Sequence, residues 1–394
     1  MSRPEVFVVS TVRTAIGTFG GALKEVPLSH LATLVVRTAL ERSGAAPDQV
    51  GHVVLGNVVP TEPRDVYLSR VAAIEAGLPP ETPAFNVNRL CGSGLQAIVS
   101  AAQTILLGEA DLAIGGGAES MSRGPYLDSH ARWGARLGDA TLLDFVTGAL
   151  QDPFESIHMG ITAENVAARY GITRAMQDAL ALESHKRAAR AVAEGRFKTQ
   201  IVPVSVPTRK GPVIFEVDEH IRPDVTSEQL AKMKPAFKKD GLVTAGNASG
   251  INDGAAAVVL ASGEKVKALG LKPLARLVAY GHAGVEPAYM GIGPVPATKL
   301  ALQRAGLQIQ QLDVIESNEA FAAQACAVAR ELDFDPAKVN PNGSGISLGH
   351  PIGATGAIIT TKAIYELHRI SGRYALVTMC IGGGQGIAAI FERV

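Results

Sequence analysis

The residues best suited to chemistry are two cysteines, a histidine and an asparagine, each set among small residues. Cys91 lies in Asn88-Arg89-Leu90-Cys91-Gly92-Ser93-Gly94, ahead of a helical pattern carried by Leu95, Ile98, Val99, Ala102, Ile105 and Leu106. At a helix head, unpaired backbone N–H groups and the helix dipole favour a thiolate over a thiol. The flanking glycines let a carbonyl approach the sulfur and meet backbone donors. A small cysteine packed at a tight turn accounts for the same residues as well.

Cys380 ends an apolar strand-like run and precedes Gly382-Gly383-Gly384, a position from which a side chain faces either a cleft or a sheet core. His350 sits in a stretch from Asn340 through Gly349-His350-Pro351 that is too rich in Gly and Pro for regular structure. Long irregular segments in compact enzymes are often functional loops, although a loop histidine can equally be merely solvated. Asn318-Glu319-Ala320-Phe321 follows strand-like Val314-Ile315 and begins an alanine-rich helix. Asn318 is read either as its N-cap or as an amide that holds a water or a carbonyl. Cys326, inside that helix, reads as inert packing.

The elements that must position these residues are written twice. In the first half, the turn at Cys91 to Gly94 opens a helix, and a strand from Asp111 to Ile114 meets Gly115-Gly116-Gly117. In the second half, Gly353-Ala354-Thr355-Gly356 opens a helix, and a strand from Tyr374 to Ile381 meets Gly382-Gly383-Gly384. Strands alternating with helices predict two α/β halves built on mixed sheets. Between them, from about Ser120 to Gly250, prolines and charges cluster around shorter helical pieces at Ala163 to Tyr170 and Arg174 to Glu194, which reads as an inserted loop-rich domain.

Bulk composition narrows the function classes. The 394 residues exceed the roughly 250 to 300 at which a single core stops growing, so two or three units are expected. Thirty-seven basic residues balance 37 acidic ones, which gives no bulk attraction to nucleic acid or membrane. Three cysteines without metal-site spacing argue against a disulfide framework and for a reducing compartment, with cytoplasmic localisation expected. A strand-like run begins at Val6, leaving no room for a signal or transit peptide, and no apolar run reaches the roughly 18 residues of a membrane span.

Taken together, Asn88 to Gly94, Asn318-Glu319-Ala320-Phe321, Gly349-His350-Pro351 and Cys380-Ile381-Gly382-Gly383-Gly384 resemble the four sequence motifs of the thiolase family. Gly246 to Gly250 and the stretch around His158-Met159-Gly160 also match, so the resemblance spans essentially the whole chain. It is greatest to bacterial acetyl-CoA acetyltransferases and the β-ketothiolases that supply polyhydroxyalkanoate precursors. The implied α/β fold has two duplicated halves in five layers: residues 1–120 with 251–272, and residues 273–394. The loop domain, 121–250, serves CoA binding and oligomerisation.

The resemblance also implies roles. His350 activates Cys91 to carry an acyl group, Cys380 takes a proton from the methyl group of acetyl-CoA, and the N–H groups of Cys91 and Gly382 form one oxyanion hole. His350 and a water on Asn318 form the other. Acyl-CoA and CoA contacts fall to His158, Met159, Arg222, Phe237, Ala245, Ser249, Met290, Ala320 and Phe321, Met290 limiting the pocket to short acyl groups. No metal or cofactor is implied, CoA being substrate and product. Ala131-Arg132-Trp133-Gly134-Ala135-Arg136 resembles the loop through which the family forms homotetramers. The competing readings are a decarboxylating ketoacyl-synthase-like condensing enzyme, which needs no second cysteine, a thioesterase, and a non-catalytic acyl-CoA carrier.

Overall fold

The computed structural model describes residues 5–394. Its main strands follow one hydrogen-bonded order: Val314–Ser317, Tyr374–Ile381, Gln385–Arg393, Ala275–Gly284, Val6–Thr14, Asn252–Ser262, Leu112–Ser120, His52–Gly56 and Ala84–Val87. Two pairs, Phe7 with Arg276 and Val8 with Ala275, join the halves of this order. Outward from that joint, the pairing runs antiparallel, antiparallel, parallel on each side. The duplication legible in the sequence is therefore also a duplication of strand pairing.

The helices Ser93–Leu106 and Thr355–Ile370 lie between the two half-sheets and are buried on nearly every side, which is why their sequences are apolar almost all round. They cross at glycine. A Cβ on Gly356 would come within 2.2 Å of the Leu95 nitrogen, and one on Gly94 within 2.8 Å of the Ala357 nitrogen. Helices Leu28–Ser43 and Leu68–Glu75 cover the outer face of the first half, and Pro294–Ala305 covers the outer face of the second. The result is the five-layered α/β arrangement of helix, sheet, helix, sheet, helix.

The two glycine triplets differ in form. The first was expected to end its strand, yet Leu112–Ser120 runs straight through Gly115, Gly116 and Gly117. These residues are small for packing: a Cβ on Gly115 would lie 2.6 Å from the Ile98 Cα, and one on Gly117 would lie 2.2 Å from the Gly353 oxygen. The second triplet is a true turn between Tyr374–Ile381 and Gln385–Arg393, with Gly383 and Gly384 at φ of 78° and 83°.

Residues 121–250 hold the helices Met159–Tyr170 and Arg174–Ala193 and two short antiparallel pairs, Tyr126–Leu127 with Leu143–Asp144 and Val204–Val206 with Val213–Phe215. This segment is tied back to the first half. Ile201–Val202 pairs with Arg13 and Thr14, and Arg13 is bonded by both guanidinium nitrogens to Asp218, with both side chains fully buried. No helix among the described residues is long and apolar enough to cross a membrane.

Candidate active site

Cys91 is held by a tight turn one step before its helix. Leu90 adopts φ of 46°, rare for a branched side chain and costing on the order of 1–3 kcal/mol, which the surroundings must over-determine. They do so through Ser93, whose hydroxyl accepts from the Arg89 N–H at 2.8 Å and donates to the Leu90 carbonyl at 2.7 Å, while Asn88 accepts from the Leu90 N–H at 2.9 Å. A Cβ on Gly92 would come within 2.5 Å of the Ile381 side chain, which would have to shift. Ile381 neighbours Cys380, so the two halves interlock at the sulfur.

The N–H groups of Gly382 and of Cys91 itself lie near enough to the Cys91 sulfur to lower its pKa. Cys380 lies near enough for a charge on Cys91 to raise its pKa. The expectation of a resting thiolate at Cys91 is corrected. Its helix starts only at Ser93, and burial outweighs the two N–H groups, pushing the thiol up to about 11 with Glu119 adding to the rise. Cys91 remains partly exposed and open to a substrate, whereas Cys380 is fully buried and its thiol is pushed well above the ordinary range, chiefly by that burial.

His350 is fixed at three points. Its backbone N–H donates to Asn252 Oδ1 at 2.9 Å, Nδ1 lies 2.7 Å from Thr355 Oγ1, and Nε2 lies 3.3 Å from Asn318 Nδ2. The tautomer follows from Thr355. Its one hydroxyl proton goes to the Pro351 carbonyl at 2.9 Å, so its oxygen accepts from Nδ1–H and leaves the lone pair on Nε2. Burial lowers the His350 pKa to about 4, so the imidazole is neutral near pH 7. A neutral imidazole and a protonated thiol suit proton transfer during attack rather than a preformed ion pair.

Asn318 is not an N-cap, because the alanine-rich helix starts four residues later, at Ala322. Its nitrogen faces His350 and its buried Oδ1 has no protein partner among the described residues. The next residue, Glu319, turns the other way and accepts from Ser184 at 2.6 Å and Asn340 at 2.9 Å, which fixes the Asn318 backbone from behind.

The remaining candidates separate into three groups. Met159, Met290, Ala320, Phe321 and Cys380 share one apolar cluster, and a Cβ on Gly382 would sit 3.3 Å from the Met159 methyl carbon. His158 caps its helix by accepting from the Gly160 N–H at 3.0 Å and stacks on Phe237 at 4.7 Å, whose ring is set edge-on to Phe321 at 6.1 Å. Ser249 joins this group through its N–H, which donates to the Ala320 carbonyl at 2.9 Å. Ala245 is exposed on the Thr244–Asn247 turn, and Arg222 is exposed beyond His185, which accepts from its N–H at 3.1 Å. Cys326 stands apart, lining a cavity of about 320 Å³ with Met176 and Phe334, and burial pushes its thiol up to about 11.

Asn252 and Thr355 escaped the sequence reading. Thr355 falls within a turn read only as a helix start, and nothing in the sequence around Asn252 singles it out. No cluster of metal-ligating side chains occurs among the described residues.

Comparison with known proteins places the chain in one family. The family model "Thiolase, N-terminal domain" matches residues 6–264, and "Thiolase, C-terminal domain" matches residues 271–393. The chain belongs to the thiolase family. It is 68% identical over 391 residues to Beta-ketothiolase BktB of Cupriavidus necator, covering 99% of each chain, and 52% identical to an acetyl-CoA acetyltransferase of Chromobacterium violaceum, covering 99% and 100%. Among solved structures it superposes on human mitochondrial 3-ketoacyl-CoA thiolase with a TM-score of 0.97 at 46% identity, each chain 99% covered. The acetyl-CoA acetyltransferase of Bacillus anthracis gives a TM-score of 0.97 at 47% identity over the whole of both chains.

Proposed function

We propose that the chain is an acetyl-CoA C-acyltransferase that reversibly condenses an acyl-CoA with acetyl-CoA to a 3-ketoacyl-CoA through an acyl group on Cys91. The observation that carries this reading is the setting of Cys91: two backbone N–H groups and a second thiol lie near its sulfur, and it packs against Ile352, two residues after a neutral histidine with its lone pair on Nε2. In the first half-reaction Cys91 attacks the acyl carbonyl, its proton passes to His350, and the departing CoA thiolate leaves as CoA–SH with the proton of Cys380. The Cys380 thiolate then takes a methyl proton from acetyl-CoA and is a thiol again. The carbanion attacks the acyl group, and Cys91 leaves, recovering its proton from His350. Protons balance over the cycle.

Burial that makes Cys380 a weak acid makes its thiolate a strong base, as deprotonating the carbon next to a thioester requires. The N–H groups of Cys91 and Gly382 serve the acyl-enzyme oxyanion, while His350 with a water on Asn318 serves the enolate. A decarboxylating condensing enzyme would need no base at Cys380.

The same reading assigns the finer features. Met290 and Met159 wall a pocket for short acyl groups, adaptable enough for five-carbon products, which fits a supply of polyhydroxyalkanoate precursors. His158, Phe237, Ala245, Ser249, Ala320 and Phe321 border the CoA path, with Arg222 near its phosphates. Residues 1–120 with 251–272 and residues 273–394 are the catalytic halves, and 121–250 the CoA-binding and oligomerising unit. Trp133 and Leu137 stand 85% and 99% exposed, which suits tetramer contacts, and two free reacting thiols suit the cytoplasm.

The test separates the cysteines by half-reaction. Wild type is expected to show both an acyl adduct by intact mass and solvent deuterium exchange into the methyl group of acetyl-CoA. Cys91→Ala should show no adduct, and Cys380→Ala an adduct with exchange and condensation reduced about 10²- to 10⁴-fold, the range for a positioned general base. Wild-type exchange in Cys380→Ala would refute its assignment as the base.

A further inference from the structure

Glu119, the last residue but one of its strand, has a fully buried carboxylate that the mechanism above does not use. Oε1 accepts from Asn57 Nδ2 at 2.8 Å and the Val59 N–H at 3.1 Å. Oε2 accepts from the Val58 N–H at 3.1 Å and the Gly353 N–H at 2.7 Å. Burial pushes its pKa up to about 8, with Asp253 adding to the rise and the Val59, Gly353 and Val58 N–H groups holding it down; all four groups bonded to its oxygens are N–H donors.

These donors belong to different halves. Asn57, Val58 and Val59 follow the strand His52–Gly56, whereas Gly353 comes three residues after His350. The approach is close enough to exclude any side chain at Gly353, where a Cβ would lie 2.5 Å from Glu119 Oε2. Cys91 packs against the cluster of Val58, Val59 and Ile352, and the Glu119 charge raises its pKa.

We propose that Glu119 is a positioning residue: its carboxylate pins the His350–Gly353 turn to the first half beside Cys91 and so sets the approach of the imidazole to the sulfur. The inference rests on the thiolase reading of Cys91 and His350. It also gives Glu119 a second effect: above about pH 8, where it is ionised, its charge adds to the burial that raises the Cys91 thiol.

Two variants test it. In Glu119→Gln the amide must oppose two of the four donors whichever way it turns. Gly353→Ala disturbs the same contact but keeps the charge. A misplacement of about 1 Å at a reacting pair costs on the order of 100-fold, so acylation of Cys91 by acetyl-CoA should fall about 10- to 100-fold in each variant, with KM within about twofold of wild type. Alkylation of Cys91 by iodoacetamide, followed against pH, should shift to lower pH in Glu119→Gln and stay at the wild-type position in Gly353→Ala. A merely structural role would not produce that split. A folded variant that acylates at the wild-type rate overturns the proposal, as does an unmoved alkylation profile in Glu119→Gln. If Glu119→Gln does not fold by thermal melting, the acylation rate of Gly353→Ala decides. Absence of acyl-Cys91 in wild type would instead overturn the underlying thiolase reading.

Discussion

Thr355→Val isolates the tautomer of His350 from its position. The substitution keeps the branched shape but removes the oxygen that accepts from Nδ1–H at 2.7 Å and donates to Pro351 at 2.9 Å. With valine a buried N–H has no acceptor, a loss of about 1–3 kcal/mol of stability. The imidazole escapes that loss by moving its proton to Nε2, where Asn318 Oδ1 is free to accept after an amide flip. Nε2 then cannot take the Cys91 proton. Acylation should fall by about 10²- to 10⁴-fold, the full worth of a positioned base. Thr355→Ser restores the oxygen and should recover most of the rate. Rapid-quench mass spectrometry of acyl-Cys91 measures the rate, and urea denaturation measures the stability. A Thr355→Val enzyme that keeps both wild-type stability and the wild-type acylation rate would refute the tautomer argument.

Three further outcomes are expected. Lys362 and Glu316 form a fully buried pair at 2.7 Å, so Lys362→Met leaves a buried carboxylate alone and should cost about 3–5 kcal/mol in urea denaturation, much of it recovered by adding Glu316→Leu. Burial lowers His185, His220 and His350 from 6.5 to about 4, so at these positions the unfolded chain binds more protons between those values; their contribution to the urea midpoint should fall as pH drops from 6.5 towards 4, opposed by Glu119 and Glu316, whose raised pKa values favour the folded chain over the same range. Light scattering should give a tetramer, which Trp133→Ala weakens, and a monomer at micromolar concentration would contradict the assignment of the 131–136 loop.

The sequence made the architecture legible where its physics is local. Helix Ser93–Leu106 announces itself by apolar period and strand Tyr374–Ile381 by an apolar run closed by glycines, because each is buried on both sides. The glycines at 115 to 117 misled because composition does not tell a glycine needed for a turn from one needed for close packing. The distinction depends on Ile98 and Gly353, which are distant in sequence from at least part of the triplet. Cys91, Cys380 and His350 stand out by residue type, but the thiol state of Cys91 reflects burial, which no local pattern encodes. Asn252, Thr355 and Glu119 act through bonds spanning from five residues to more than two hundred, so their roles emerge only from the assembled fold.

The repeated strand pairing makes the chain a near two-fold object with an unequal division of labour. A dimer of two identical halves would have to place the same group at both ends of its axis, building two alike and incomplete sites. Joining the halves in one polypeptide lifts that restriction. In the proposed reading one half contributes the nucleophile Cys91, while the other contributes His350, Cys380 and Asn318; one glycine triplet stays a strand where its counterpart becomes a turn. Broken symmetry is thus what would let a single sulfur work with a base, an acid and an oxyanion hole that its own half does not duplicate.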